Sequence, residues 1–281
     1  MCARTIIAVW WSRRDSNPRP PPCQGGALPL RHCPTANEYN RGGATRQVRR
    51  PGQLQARAIY GTLGLMTLAD LAGYRGQELV LFGGSFDPIH YGHLLVAEQA
   101  RERYEPDLVL FVPNRASPLK PPGLGAAAED RYRMVELAAA DNPHFAACNL
   151  ELERPGPSYS VDTVRAVRRL VPAGVQILFV VGADALLELD QWYEPEALLS
   201  EAQVVVARRP GFDLDGLCRA LGPQRTSQIE IMSMRLVDIS ATDIRQRVAR
   251  GQSIRYLTPP AVIDYIYRQG LYGASPSGDQ G

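Results

Sequence analysis

The sequence predicts an α/β fold, a doubly wound parallel sheet covered by helices on both faces. Two observations carry this. Several short runs are apolar at every position, among them LVLFG (79–83), DLVLFVP (107–113) and VQILFVVG (175–182). A strand with one wet face would alternate, so unbroken apolarity implies burial on both faces, as in a parallel sheet. The segments between these runs have helical spacing, which supplies both the crossovers and the cover.

The elements follow in order. HLLVAEQARERY (93–104) places Leu94, Leu95, Ala97 and Ala100 where one helical face can share them. Pro113 stops the second strand, and a Pro- and Gly-rich loop runs to Ala128. EDRYRMVELAAAD (129–141) opens on acids, the charge favoured at a helix start. HFAACNLEL (144–152) reads as a strand throughout, and VDTVRAVRRL (161–170) as a helix. QVVVARR (203–209) and IEIMSM (229–234) are further strands. ATDIRQRVARG (241–251) and PPAVIDYIYRQG (259–270) are helices that each end on glycine. Together they predict one Rossmann-like domain spanning 77–273.

The first 65 residues read differently. They hold ten arginines, two acids (Asp15 and Glu38) and seven prolines, with no sustained period. Such a segment cannot bury enough surface to offset the entropy of ordering it, so 1–65 is expected to be a disordered extension. Two readings of it stand. RDSNPRPPPCQGGALPLRHCP (14–34) resembles the translation of a transfer-RNA gene, which would put the natural start at Met66. Alternatively it is a basic tail that touches RNA or an acidic partner.

This stretch carries a charge of +8, and the remaining 21 basic and 27 acidic residues leave the rest at −6. A mildly acidic domain offers no broad nucleic-acid surface, so no nucleic acid is expected as a partner. Five cysteines without a C-x-x-C pair predict free thiols and a cytoplasmic protein. No apolar run reaches about 18 residues, so no membrane span is expected. TIIAVWW lacks the cleavage site of a signal peptide. The sequence does not decide whether the chain forms a homo-oligomer.

The turn after the first strand reads GGSFDPIHYGH (83–93). In a doubly wound sheet, ligands sit beyond the carboxyl ends of the strands. Gly83 and Gly84 let backbone approach a ligand with no Cβ between. The amides there, and the helix start near Tyr91, present donors and a positive dipole end to phosphate. His90 and His93 are three residues apart and can turn both rings to one side. There they can stabilise charge that develops on a phosphoryl group. The spacing is neither G-x-G-x-x-G nor G-K-[ST]. A metal site on the pair would need further ligands, and the only other histidines are His32 and His144. Two histidines that merely cap a helix are the other alternative.

A second constellation, ISATDIR, occupies 239–245. Ser240 can cap the helix with Asp243 in capping-box position. That accounts for neither Thr242 nor Arg245, which can hold phosphate oxygens at the same helix end.

The first motif matches the G-x-[ST]-F-D-P-x-H-x-G-H signature of the nucleotidyltransferases related in fold to class I aminoacyl-tRNA synthetases. The second resembles their I-S-[AST]-T-x-[IV]-R motif. GPSYSVDTV (156–164), FVVGADALLELDQWYEPEALL (179–199), VVVARRPGF (204–212) and RYLTPPAVIDYIYRQGLY (255–272) resemble one branch, the bacterial nicotinate-nucleotide adenylyltransferases. The pantetheine-phosphate branch has Thr-x-Gly-His where this chain has His90 to His93, and lacks the aspartate-to-tryptophan segment.

The resemblance implies a single nucleotidyltransferase domain that joins ATP and nicotinate mononucleotide into deamido-NAD, releasing pyrophosphate, with Mg²⁺ carried on the ATP phosphates. It places His90, His93 and Arg245 as catalytic residues. Gly83, Gly84, Ser85, Phe86, Ser240 and Thr242 would line the ATP site. Lys120, the one lysine among 30 arginines, would reach phosphate from PNRASPLK (113–120), where Leu119 replaces the histidine usual in the family. Ser160, Asp184 and Trp192 would meet the nicotinate mononucleotide, with Trp192 stacking on its ring. Ser160 could equally be the N-cap of the 161–170 helix, and Trp192 could be core. Two other classes stay open: another adenylyl- or cytidylyltransferase of this fold, and a non-catalytic nucleotide- or RNA-binding protein.

Overall fold

A computed structural model of the chain describes residues 68–116, 125–208, 211–235 and 237–275. The readings made for 1–65 and for Lys120 lie outside them. Six strands form one parallel sheet: β1 Glu78–Gly84, β2 Leu108–Pro113, β3 Phe145–Ala147, β4 Gln176–Gly182, β5 Gln203–Arg208 and β6 Ile229–Ser233. Their spatial order is β3-β2-β1-β4-β5-β6. The order reverses between β1 and β4, and a crevice opens at such a reversal beyond the carboxyl ends of the strands.

Ten helices connect and cover the described sheet. They are α1 Leu68–Ala72, α2 Tyr91–Tyr104, α3 Ala128–Ala139, α4 Leu150–Glu153 and α5 Ser160–Leu170. The rest are α6 Ala183–Leu186, α7 Pro195–Glu201, α8 Leu214–Thr226, α9 Ala241–Ala249 and α10 Pro260–Arg268. The apolar runs divide by parity. Leu79, Leu81, Ile177, Phe179, Val204 and Val206 share a core with residues of α5, α7 and α8. Val80, Phe82, Leu178, Val180 and Val205 share the other with α2, α3, α9 and α10. Two buried faces therefore explain why these strands show no alternation. No helix among the described residues is long and apolar enough to cross a membrane.

The strand expected over 144–152 is much shorter. It pairs with β2 over Phe145–Ala147, and Leu150–Glu153 forms a helical turn. The cause lies in its partner. The Cys148 N–H donates to the Phe111 carbonyl at 2.9 Å. In a parallel ladder the next donor on β2 would be Pro113, which has no N–H. Helices α7 and α8 were not expected; α8 contains Pro223 after Gly222, whose φ is 75°, so the sequence there breaks the helical signal.

Candidate active site

The site begins where β1 ends. A Cβ on Gly84 would stand 3.0 Å from the Phe86 ring, so any larger residue there would crowd that ring. Phe86 has a φ of 47° and folds its ring back into the core. The ring is 2% exposed and meets Phe82, His93 and Phe111 at centroid distances of 5.6, 5.1 and 5.7 Å. Phe86 thus supports the loop from beneath with its side chain and offers a ligand only its backbone.

His90 is the N-cap of α2, with extended backbone. Its ring stacks on that of His93 with centroids 3.7 Å apart and planes 23° apart. Exposures of 0% for His90 and 5% for His93 put the pair beneath the protein surface. The His90 N–H donates to His93 Nδ1 at 3.3 Å. In the neutral ring of His93 the proton is then on Nε2, which makes Nε2 the donor. Gly92 explains the motif's spacing: a Cβ there would come within 2.9 Å of the His90 ring. Histidine lies at both ends of HYGH because glycine clears the space between them.

The second motif is stitched to the first. Arg245 donates from Nη1 to the Asp87 carbonyl at 2.6 Å and from Nη2 to Thr242 Oγ1 at 3.2 Å. The Asp87 carboxylate is 3.8 Å from the same guanidinium. Its Oδ1 accepts from the Ala126 N–H at 3.0 Å and from the Tyr272 hydroxyl at 2.6 Å. Burial, and then the Asp87 charge, push the Tyr272 phenol far above its ordinary range, so it remains a donor. The segment leading into α10 closes the arrangement. The Thr258 hydroxyl donates to the Ile89 carbonyl at 2.7 Å, and the Tyr91 N–H donates to the Leu257 carbonyl at 3.0 Å. Ser240 is the N-cap of α9, accepting from the Asp243 N–H at 3.1 Å.

Two residues absent from the expected set organise the other flank. Asn114 donates from Nδ2 to Ser85 Oγ at 3.2 Å, and its N–H donates to the Gly84 carbonyl at 2.9 Å. Arg131 of α3 is buried and bonded to the same residues. Its signal was present in the sequence: Arg131, Met134, Val135 and Ala138 follow the i, i+3, i+4, i+7 spacing of an apolar stripe, and an arginine on that stripe must find buried partners.

The expected mononucleotide residues lie around β4 and α5. Asp184 is exposed, in the short helix directly after β4. Since β4 pairs with β1, it stands at the same sheet edge as Gly83 and Gly84. Ser160 is the first residue of α5, and the N-cap is Tyr159. The hydroxyl of Ser160 is therefore not the cap. Trp192 is half-buried against the core, as the core reading requires, yet its indole Nε1 is buried without an acceptor among the described residues. The rings of Tyr159 and Tyr193 lie 4.6 Å apart, which joins the Ser160 and Trp192 segments. Arg165 pairs with Glu194 at 2.8 Å, and Arg225 pairs with Asp190 at 2.5 Å and Glu196 at 2.7 Å, so the Trp192 loop is tied down on both sides.

A parallel sheet whose first turn carries two stacked histidines, laced to an arginine-bearing helix start, defines a class. Residues 81–247 match the cytidylyltransferase-like family, and that span contains both motifs. The chain resembles the probable nicotinate-nucleotide adenylyltransferases of Thermus thermophilus (46% identity over 196 residues, 70% of this chain and 100% of the relative) and Moorella thermoacetica (43% over 201 residues, 70% and 93%). Among solved structures, nicotinic acid mononucleotide adenylyltransferase of Plasmodium falciparum, complexed with NaAD, superposes with a TM-score of 0.59 at 20% identity. It covers 72% of this chain and 100% of that one, and bears on the fold alone. The chain belongs to the nicotinate-nucleotide adenylyltransferase family.

Proposed function

We infer that the chain transfers the adenylyl group of ATP to nicotinate mononucleotide, giving deamido-NAD and pyrophosphate. One observation carries this reading: the stacked His90–His93 pair and the Arg245–Thr242 pair converge on Asp87 and its turn, beyond the end of β1. The 5′-phosphate oxygen of the mononucleotide attacks the α-phosphorus of ATP. One P–O bond forms, the bond to the β-phosphate oxygen breaks, and the electron pair leaves with pyrophosphate. No side chain acts as nucleophile, so rate comes from positioning and from donors aimed at developing charge.

His93 Nε2–H and the His90 ring meet the phosphates, and Arg245 with Thr242 holds the phosphate tail. Gly83, Gly84, Ser85 and Ser240 line the nucleotide with backbone and hydroxyl groups. Mg²⁺ enters with ATP as part of the substrate; the Asp87 carboxylate is already engaged by Ala126 and Tyr272. Asp184, Ser160 and Trp192 take the mononucleotide. Carboxylate recognition by charge-assisted donors would leave those donors poorly matched by an amide, so the acid is preferred.

Pyrophosphate release is measured with nicotinate and nicotinamide mononucleotide side by side, with ATP and with CTP. Turnover with ATP and a higher kcat/KM for the acid are expected. Trp192→Ala raises the KM for the acid at least several-fold, as loss of an aromatic contact of about 0.5–1.5 kcal/mol requires, and leaves ATP binding unchanged. Equal kcat/KM for acid and amide would overturn the preference, and turnover with CTP alone would overturn the adenylyl assignment.

A further inference from the structure

Arg131 is only 6% exposed, and every donor it has is used. A guanidinium offers five N–H donors. Nε donates to the Ala126 carbonyl at 3.3 Å. Nη1 donates to the Ser85 carbonyl at 2.7 Å and to Asn114 Oδ1 at 3.2 Å. Nη2 donates to the Asn114 carbonyl at 2.7 Å and to the Arg115 carbonyl at 3.2 Å. Four of the five acceptors are backbone carbonyls at the ends of β1 and β2 and the start of α3. Asn114 in turn holds Ser85 Oγ and the Gly84 carbonyl.

We propose that Arg131 is a positioning residue of the phosphate site: it locks Ser85 and Asn114 in one relation behind the Gly83–Gly84 turn and sets a buried positive charge there. The proposal rests on reading that turn as the ATP site. Five bonds from one planar group fix three chain segments at once, and a 1 Å displacement of a phosphate-binding backbone is enough to lower rate or affinity strongly. No carboxylate forms an ion pair with the guanidinium among the described residues; its neighbours are carbonyls. The Asp87, Glu129 and Glu151 carboxylates offset part of that charge from a distance, so what Arg131 supplies at the turn is chiefly a fixed backbone geometry.

Lysine has three donors on one nitrogen and cannot span five acceptors. Arg131→Lys thus separates geometry from charge. The variant is compared with wild type for kcat, for both KM values, for ATP affinity by calorimetry and for melting temperature. Expected is a rise of about 10- to 100-fold in the ATP dissociation constant and KM, with the KM for nicotinate mononucleotide unchanged. In Arg131→Ala, guanidinium added at millimolar concentration restores ATP affinity, and urea does not. If neither variant folds, Asn114→Ala carries the test. It removes one acceptor of Arg131 and the bond to Ser85, and should weaken ATP about three- to tenfold.

Unchanged ATP constants in Arg131→Lys, equal losses on both substrates, a fall in melting temperature alone, or unchanged ATP affinity in Asn114→Ala when it is the only folded variant would each overturn the proposal. Wild-type protein that neither binds nor turns over ATP removes the functional reading itself; active wild type with an equally active Arg131→Lys removes only the role of Arg131.

Discussion

At His93 the donor is set by a neighbour three residues away. The His90 N–H occupies Nδ1, so the proton stays on Nε2. Phe82 and Phe86 pack edge-on at centroid distances of 6.2 and 5.1 Å and hold the ring. In the proposed reaction a donor held this way needs no reorganisation as charge develops on phosphate, which is where such groups contribute most. His93→Ala is expected to lower kcat by roughly 10²–10³ while far-UV circular dichroism stays native. Turnover at the wild-type rate in folded protein would remove the histidine from the reaction. Both histidines were legible in the sequence from type and spacing. Their stacking was not, because it depends on Gly92 leaving room for the His90 ring.

Among the elements, α4 and α5 make a second buried device. Glu151 of α4 is 5% exposed and accepts from the Thr163 hydroxyl of α5. Ser158, which donates to Glu151, also accepts from the Arg115 N–H at 3.1 Å. This packet sits beneath the segment that leads to Ser160. Desolvation raises the Glu151 pKa above its ordinary value, against the opposing bonds from Thr163 and Ser158. A carboxyl whose folded pKa is raised adds stability below its unfolded pKa, and that stability is lost as pH rises through the folded value. Glu151→Gln keeps the acceptor for Thr163 and removes the charge. Its melting temperature relative to wild type should therefore increase from about pH 4 upward into the neutral range. A difference independent of pH, or one that falls as pH rises, would show that the charged form is the stable one. Of this packet only Glu151 falls in the strand that the sequence predicts, because the missing donor of Pro113 acts on a partner strand that sequence spacing does not reveal.

Across the whole molecule the chain's two ends of the domain meet at Asp87. From the turn after β1, Asp87 bonds to the Ala126 segment before α3, to Arg245 of α9 and to Tyr272. Tyr272 closes the set from a left-handed conformation with a φ of 59°. Tyr272→Phe removes one bond to a charged acceptor, worth about 1.5–3 kcal/mol. It should lower stability in denaturant titrations by that amount and raise the KM for ATP, because Asp87 then holds Arg245 less firmly. A phenylalanine variant with wild-type stability and KM would mean that the C-terminal residues only lie against the site.

The sequence by itself determined the parallel sheet, the glycine-rich turn after its first strand, and the residue types His90, His93, Thr242 and Arg245, because these depend on local periodicity and on spacing within one element. Tertiary structure decided how the groups around that turn are partnered. It turned the Phe86 ring into the core, tied Arg245 to Asp87, and recruited Arg131, Asn114 and Tyr272. Those outcomes depend on partners far away in the chain, 158 positions for Arg245 with Asp87 and 185 for Tyr272 with Asp87. A charge or a ring carries no local mark of the acceptor or cavity that the sheet order will set beside it.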